Sequence, residues 1–401
     1  MTKNLTQGLT PSEKFVNNLC ELSFLKLWTH PNPKGKKDKE LCDCLIVCGV
    51  HIVIISVKEI EYKNTESEAG YDRWTKKAID KSANQIYGAK HWLEGTDAVK
   101  RHDERIINLP PKSERIYHRI SVSLGSKDQV PMPYGDLGSG FIHICDEKST
   151  KILFKELDTI SDFTNFLQAV ENLSDKTKLI FDGGGIEDLI ALYLQNNNLF
   201  NINENSKKPS LMLLENDMWI GWVNSQEYKD RLLDLKSSYI WDELIEHYSK
   251  YLLSGEIFDF YNRKATDNDW AIMTMALQPR GHRAVLMDAF IEYLNNNKSA
   301  SRIAQGYDNT IFVFLRGKHC DREHRSKELL LRCCIVSVNL ENKIIVGIAR
   351  DKPEGNGSSS DLVYIENKNW TQKEKDEYKK LSKEFNYFKG INWEKMKEMS
   401  L

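Results

Sequence analysis

Residues 39–60, KELCDCLIVCGVHIVIISVKEI, hold two short apolar runs joined by three residues, Gly-Val-His. Short runs rich in β-branched residues predict β-strands, and so brief a connection requires neighbouring antiparallel strands. We therefore expect a β-hairpin with strands at about 42–48 and 52–58. The hairpin must belong to a larger sheet, because two strands alone are only marginally stable in water.

The hairpin carries two charges where apolar side chains are expected. Because side chains alternate between the faces of a strand, Asp43 shares its face with Leu45 and Val47. By the same alternation, Lys58 shares its face with Ser56. Antiparallel pairing brings Asp43 and Lys58 to the same end of the hairpin. A charge inside a sheet is costly unless it is paired or holds a metal ion. Two explanations stay open at this point, a simple ion pair and a functional site.

The rest of the chain alternates helical and strand patterns. Apolar spacing predicts helices at 11–28 and 72–94, and β-branched runs predict strands at 115–124 and 140–145. This order indicates an α/β domain over residues 1–155. A mainly helical region, 156–300, and an α+β region, 301–401, are expected to follow. In the last region we expect four strands, TIFVFLRG, RCCIVSVN, KIIVGIARD and DLVYIEN, and a charged helix near 371–385.

Composition limits the classes of function. The chain has 401 residues and a net charge of −2, so any basic binding surface must be local. No apolar run reaches the roughly eighteen residues that a membrane span needs. The N-terminus lacks the apolar core of a signal peptide, and eight cysteines in a chain of this length do not form a secreted disulfide framework. We expect a cytoplasmic protein with no membrane partner.

A third charged residue, on the first helix, is expected to belong to the same site as the two charges of the hairpin. Glu13 on that helix, Asp43 on the first hairpin strand and Lys58 at the end of the second form the set that metal-assisted phosphodiester cleavage requires. Carboxylates bind Mg²⁺ or Mn²⁺ through oxygen, and the metal activates water and neutralises charge on the phosphate. We expect Asp43 and Glu13 to bind the metal, with Glu40 as a further ligand, and Lys58 to position or activate water.

With Gln85 on the next helix, these residues resemble the PD-(D/E)xK nuclease superfamily, nearest to its Mrr-like and nuclease-related branches. The resemblance covers about residues 10–150 and rests on Glu13, Asp43, the triplet SVK at 56–58 and Gln85. It implies a restriction-endonuclease-like fold, in which a mixed central sheet is flanked by helices, and a Mg²⁺-dependent deoxyribonuclease. It also implies that Gln85 orients water or substrate.

The chain departs from that superfamily at one position. Ser56 stands where the family has its second acid, two residues before the lysine. A hydroxyl is a weaker ligand for a hard cation than a carboxylate, so Ser56 is expected to be an auxiliary ligand. The wider frame, FLKLWTHPNP…KELCD…SVK…RWTKKAIDKSANQIYGAKHW, is also similar to uncharacterised bacterial proteins, some of them thought to act in phage defence.

Two basic runs flank the expected site. One lies in the loop before Asp43 and the other on the helix that leads to Gln85. Both are expected to contact nucleic-acid phosphates, and a solvated surface is the alternative for each. The residues concerned are Lys34, Lys36, Lys37 and Lys39 in the loop, and Arg73, Lys77 and Lys81 on the helix.

The sequence therefore predicts a metal-dependent nuclease that acts on DNA, with RNA not excluded, in antiviral defence. A partner protein or self-assembly is expected to control its activity, because a free nuclease would damage the cell's own DNA. Two alternatives stay open. One is a nuclease-fold protein that binds nucleic acid without cutting it, and the other is a protein-interaction subunit of a defence complex.

Overall fold

The computed structural model describes most of the chain. The described residues are 9–63, 68–126, 135–182, 185–200, 210–215, 217–254, 266–295, 301–317, 322–341, 343–351, 359–366 and 369–398.

Contacts between Cα atoms group the chain into two compact units. The first contains Met1–Leu232 with Ser249–Lys264, and the second contains Leu233–Tyr248 with Ala265–Leu401. The expected nuclease domain, residues 1–155, lies inside the first unit, which continues past it. Whether that domain and the regions 156–300 and 301–401 act separately stays a prediction.

The first unit contains both helices and strands. Its helices are α1 Pro11–Phe24, α2 Glu68–Thr75, α3 Lys81–Gly95, α4 Glu147–Glu156, α5 Ile160–Lys176, α6 Ile186–Gln195, α7 Met218–Asn224 and α8 Gln226–Asp234. Its strands are β1 Thr29–Pro31, β2 Cys44–Cys48, β3 His51–Glu59, β4 Ala98–Lys100, β5 Ile106–Asn108, β6 Ile116–Leu124, β7 Gly135–Asp136, β8 Phe141–Cys145, β9 Thr177–Asp182 and β10 Ser210–Glu215.

Six strands form a mixed central sheet in the order β1-β2-β3-β6-β8-β7. Neighbours β1, β2 and β3 are antiparallel, β3, β6 and β8 are parallel, and β7 is antiparallel to β8. On one face Ile52 and Ile54 join an apolar cluster with Ile79 and Ile86 of the segment that ends in α3. Val53, which alternates with them, is buried on the other face. Helices α1 and α4 also contact the sheet, which is therefore flanked by helices.

The structure confirms the predicted hairpin. Strands β2 and β3 pair from Cys44↔Ile55 to Cys48↔His51, and Gly49 takes a φ of 58° at the turn. A positive φ is readily available to glycine because it has no Cβ. The strands begin and end within two residues of the predicted positions.

The long helix predicted at 72–94 is present but not continuous in type. A π-helical turn, Lys76–Asp80, separates α2 from α3. Just before this turn, the indole Nε1 of Trp74 donates a hydrogen bond to the backbone oxygen of Ile60, at 2.7 Å. That bond ties the helix to the segment that follows β3.

The region expected to be mainly helical contains a pair of strands. β9 and β10 are parallel, in register from Thr177↔Ser210 to Asp182↔Glu215. Helix α6 lies between them in the chain, as a parallel pair requires a crossover connection. Strands as short as these contain too few residues for hydrophobic periodicity to distinguish them from the helices around them.

The second unit is built around a separate four-stranded sheet, in the order β11-β12-β13-β14. Strands β12 and β13 are parallel, and the two outer strands are antiparallel to their neighbours. The elements are α9 Ser238–Ser254, of which only the part up to Tyr248 belongs to this unit, α10 Asp267–Ala276, α11 Arg280–Asn295, β11 Ser301–Gln305, β12 Thr310–Gly317, α12 Arg322–Asn339, β13 Ile344–Asp351, β14 Ser360–Ile365, α13 Gln372–Glu384 and α14 Trp393–Glu398.

One strand prediction in this unit is wrong. The segment RCCIVSVN is the second half of helix α12, not a strand. Because β12 and β13 are parallel, the chain between them must cross over, and α12 provides that crossover. Leu329, Cys333 and Val336 of the helix are buried in the apolar cluster that it forms with the sheet. The β-branched residues of α12 are therefore held in a helix by tertiary packing.

Within the described part of the chain, no helix combines the length and the apolar character that crossing a membrane requires.

Candidate active site at the end of the β2–β3 hairpin

Asp43 is held by backbone hydrogen bonds to the two chain segments that lie beside it. It lies directly before β2, and its own N–H donates to the oxygen of Ile55 while its oxygen accepts from the N–H of Asn32. Its carboxylate oxygen Oδ2 accepts a hydrogen bond from the backbone N–H of Val57, at 2.6 Å. The residue is 4% exposed. The acid that looked misplaced in the sequence therefore receives a backbone donor from the neighbouring strand.

Lys58 faces both Asp43 and Gln85. Its Nζ lies 3.5 Å from Oδ2 of Asp43 and donates to Oε1 of Gln85 at 2.8 Å. The lysine side chain keeps 27% of its surface exposed, whereas the Asp43 side chain keeps 3%. The ion pair expected from the sequence is present, but at 3.5 Å it is looser than the hydrogen bond to Gln85.

Gln85 connects the helix to the hairpin and to the loop before it. Its Oε1 accepts from Lys58 and also from the Ser56 hydroxyl, at 2.8 Å. Its Nε2 donates to Oε1 of Glu40 over a longer distance, 3.4 Å. The amide thus fixes the side chains of β3 and leaves its NH₂ group directed at the acidic side of the site.

Glu40 is the carboxyl whose ionisation the site alters most clearly. Partial desolvation, then the charge of Asp43 and a hydrogen bond with it, and then the charge of Glu13 raise the pKa of Glu40 to about 7. The ammonium of Lys58 opposes the rise. Glu40 is exposed as a residue, so the desolvation concerns its carboxyl end near Asp43. The carboxylates of Asp43 and Glu13 disfavour a negative charge on Glu40, and a bound cation relieves such repulsion.

Glu13 also has a structural role at the start of α1. Its Oε2 accepts from the backbone N–H of Thr10 at 2.8 Å, and its own N–H donates to the Thr10 hydroxyl at 3.3 Å. This reciprocal pair is a capping box, which satisfies backbone donors at the helix N-terminus. The Glu13 carboxylate therefore caps the helix, and it affects the site through the repulsion between its charge and that of Glu40.

A row of serines, which the sequence analysis did not identify, continues the polar side of the site. In the register of β3 and β6, Ser56 pairs with Ser121 and Lys58 pairs with Ser123. The hydroxyl of Ser121 donates to that of Ser82 on α3, at 2.9 Å. The matching triplets SVK at 56–58 and SVS at 121–123 were the available signal, but only the register shows that they are neighbours.

The loop lysines differ in how much charge they can offer a ligand. Lys34 and Lys100 both form ion pairs with Glu104, and Lys100 lies 3.6 Å from Asp38. The charge of Lys34 is therefore already balanced within the chain. The other three loop lysines predicted to bind phosphate are exposed: Lys36, Lys37 and Lys39.

The basic residues of the second run are exposed, but they do not form one regular stripe. The π-helical turn Lys76–Asp80 lies between Arg73 and Lys81, and Lys77 falls inside it. The spacing of four residues that aligns side chains on an α-helix does not hold across a wider turn. The three side chains therefore do not follow regular α-helical spacing.

The donor set fits a partly hydrated hard cation better than a fully enclosed one. Among the residues that the structure describes, no group of three or more His, Cys, Asp or Glu side chains has the arrangement of a metal site. Asp43 and Glu40 form a pair of carboxyl groups, and Mg²⁺ is commonly held by one or two carboxylates together with water and substrate phosphate. The metal roles of Asp43, Glu40 and Glu13, like the catalytic roles, stay predictions.

The chain was compared with family models, curated proteins and solved structures. No family model, no curated protein and no solved structure matches this chain.

Proposed function

We propose that the first unit is a metal-dependent nuclease that hydrolyses phosphodiester bonds of DNA. One observation carries the proposal. A buried acid, Asp43, a half-buried lysine, Lys58, and a helix glutamine, Gln85, converge at one end of the hairpin through hydrogen bonds and an ion pair. They come from three separate segments, so their meeting is a product of the fold and not of sequence proximity.

We also infer that the central sheet and its helices form a restriction-endonuclease-like fold. The support is the order in which the site residues occur. Glu13 lies on the helix before the sheet, Asp43 directly before β2, Lys58 near the end of β3, and Gln85 on α3. That order is the one implied by the resemblance to the PD-(D/E)xK superfamily.

The proposed roles follow from the chemistry of each side chain. Asp43 and Glu40 would hold Mg²⁺ or Mn²⁺, which when bound supplies an activated water and neutralises charge on the phosphate. Lys58 would place a positive charge beside the reacting phosphate and orient the attacking water. Gln85 holds the Lys58 ammonium in place and presents its NH₂ group to water or a phosphate oxygen. Ser56 positions Gln85 and would be at most an auxiliary ligand.

The exposed loop lysines would guide the nucleic acid to this site. Lys36, Lys37 and Lys39 stand in the same loop that ends at Glu40 and Asp43. Contacts of lysine with phosphate fix the position of a duplex without reading its sequence. Because the wider sequence frame resembles bacterial proteins thought to act in phage defence, invading DNA is the proposed substrate.

A second candidate is a protein that binds nucleic acid without cutting it. The observation that favours it is Ser56, whose hydroxyl is committed to Gln85 where the superfamily has a second acid. With fewer carboxylates, metal affinity would be low and the lysines alone would retain the nucleic acid.

One experiment separates the two candidates. Supercoiled plasmid is incubated with purified full-length protein and Mg²⁺ or Mn²⁺, and wild type is compared with Asp43→Asn and Lys58→Ala. Exposed Asp97→Asn and Lys112→Ala are matched controls, because both residues lie on the surface of the same unit. The nuclease proposal requires nicking by wild type and both controls, with loss of about a hundredfold or more in the two site variants. Retention of plasmid without nicking by wild type supports the binding candidate instead.

A further inference from the structure

The strand pair β9–β10 exposes an apolar surface. In the parallel register, Leu213 lies beside Ile180, and Leu211 lies one step away on the same side of the sheet. Their exposed fractions are 56% for Leu213, 38% for Ile180 and 66% for Leu211. We call this side, with its charged residues Lys178, Asp182 and Glu215, the β9–β10 outer face.

The opposite side of the same two strands is packed in the usual way. Leu179 and Leu214, which alternate with the residues of the outer face, are 6% and 1% exposed. The strands therefore have a normal inner side, and the outer face is an additional apolar surface. Monomeric proteins rarely leave large apolar side chains clustered on a sheet in water.

Charges at the two ends of the outer face have opposite signs. Lys178 lies at the amino end of β9, beside Leu211. Asp182 and Glu215 lie side by side at the carboxyl end. All three charged residues are exposed. The face is thus positive at one end, apolar in the middle and negative at the other end.

We propose that a second copy of this chain covers the β9–β10 outer face. If two copies stack face to face about a two-fold axis that runs across the strands, the strands of one copy run antiparallel to those of the other. Lys178 of each copy then faces the end formed by Asp182 and Glu215, and Ile180 and Leu213 meet their equivalents near the axis. Such a self-complementary contact is the property of an isologous dimer. A stack with the strands parallel would put like charges together.

The size of the apolar surface indicates how tight the contact is. Three partly exposed side chains fall well short of the ~800 Å² that each partner buries in a standard interface. The association is therefore weak and reversible, and dimers form as concentration rises. This proposal does not depend on the nuclease activity of the first unit.

Sedimentation velocity of the full-length protein over a range of concentrations tests the proposal. Wild type is expected to shift from monomer to dimer, and Leu213→Glu is expected to raise the dissociation constant at least about tenfold. Leu22→Glu is the matched control, because Leu22 is 77% exposed on α1, outside the outer face. The control must dimerise like wild type. Wild type that stays monomeric at all concentrations, or Leu213→Glu that dimerises like wild type, overturns the proposal.

Charge reversal tests the orientation of the two copies. Lys178→Glu alone places like charges together at both ends of the contact and is expected to weaken the dimer. Adding Asp182→Lys and Glu215→Lys inverts the whole pattern and restores complementarity, so the triple variant is expected to return to within about threefold of the wild-type dissociation constant. If the triple variant is weaker than Lys178→Glu, the antiparallel arrangement is wrong.

Discussion

Asp43 is expected to support the fold as well as the proposed chemistry, and Asp43→Ala tests its contribution to the fold. The substitution removes the carboxylate that accepts the backbone N–H of Val57 at 2.6 Å. Val57 is 4% exposed, so its N–H is left without water or another acceptor. The Lys58 ammonium also loses its acidic neighbour.

The magnitude follows from burial. A buried N–H left without an acceptor costs about 1–3 kcal/mol. The ion pair adds at most about 1 kcal/mol, because the lysine is 27% exposed and 3.5 Å away. We expect Asp43→Ala to lower the local free energy of opening at β3 by about 2–3 kcal/mol. Asp43→Asn keeps an oxygen that accepts from the same N–H. The decrease in the free energy of opening is therefore expected to be about 1 kcal/mol smaller than for Asp43→Ala.

Hydrogen–deuterium exchange of peptides that cover β3 measures this effect directly. A loss of about 2 kcal/mol corresponds to exchange that is about thirtyfold faster. Lys58→Ala is the control, because it leaves the bond between Asp43 and Val57 intact and is expected to change exchange by no more than about fivefold. Wild-type exchange in Asp43→Ala, or equal acceleration in Lys58→Ala, would show that the backbone bond does not hold the hairpin end.

Three further predictions concern other parts of the first unit. Burial, above all, lowers the pKa of His118 to about 3. Its neutral form therefore stabilises the fold above the unfolded pKa of about 6.5, and this stability is lost as pH falls, by about 2 kcal/mol between about pH 7.5 and about pH 5. His118→Gln should flatten the pH dependence in urea unfolding by that amount, and an unchanged slope would contradict it. Gly125 has a φ of +92°, and a Cβ there would lie 2.5 Å from a backbone oxygen. Gly125→Ala should cost about 2–4 kcal/mol in thermal unfolding, whereas Gly88→Ala, in open space on α3, should not destabilise. Lys37→Glu should weaken DNA binding and lower the slope of log affinity against log salt concentration by about one, whereas Lys112→Glu should change neither. Equal binding isotherms for the two variants would exclude Lys37 from the interface.

The local structure of the hairpin could be predicted because its causes are local. Two short apolar runs rich in β-branched residues and the brief turn at Gly49 determine where β2 and β3 begin and end. The capping box at Glu13 likewise depends only on residues three positions apart. In contrast, RCCIVSVN has the composition of a strand, yet it lies in α12, because the parallel pair of β12 and β13 needs a crossover helix.

The proposed site was predicted in part. Hairpin pairing placed Asp43 and Lys58 at the same end, Gln85 was expected there from the resemblance, and the structure brings the three side chains together; their roles stay predictions. The raised pKa of Glu40 was not predictable, because it depends on the burial of its carboxyl group and on how closely Asp43 and the more distant Glu13 approach it. Nor was the neutralisation of Lys34, whose partner Glu104 lies seventy positions away. The spacing of charged residues along the sequence does not show which distant charges meet in the folded chain.

The sequence alone therefore determined the hairpin, its two charges and the residue types at its end, because strand periodicity and turn length are properties of neighbouring residues. Only the tertiary structure decided that the Asp43 carboxylate binds the Val57 backbone, that Gln85 joins Ser56 to Lys58, and that a row of serines continues from β3 to β6. Those contacts depend on strand register and on the approach of α3 to the sheet, which the chain settles only when its core is packed.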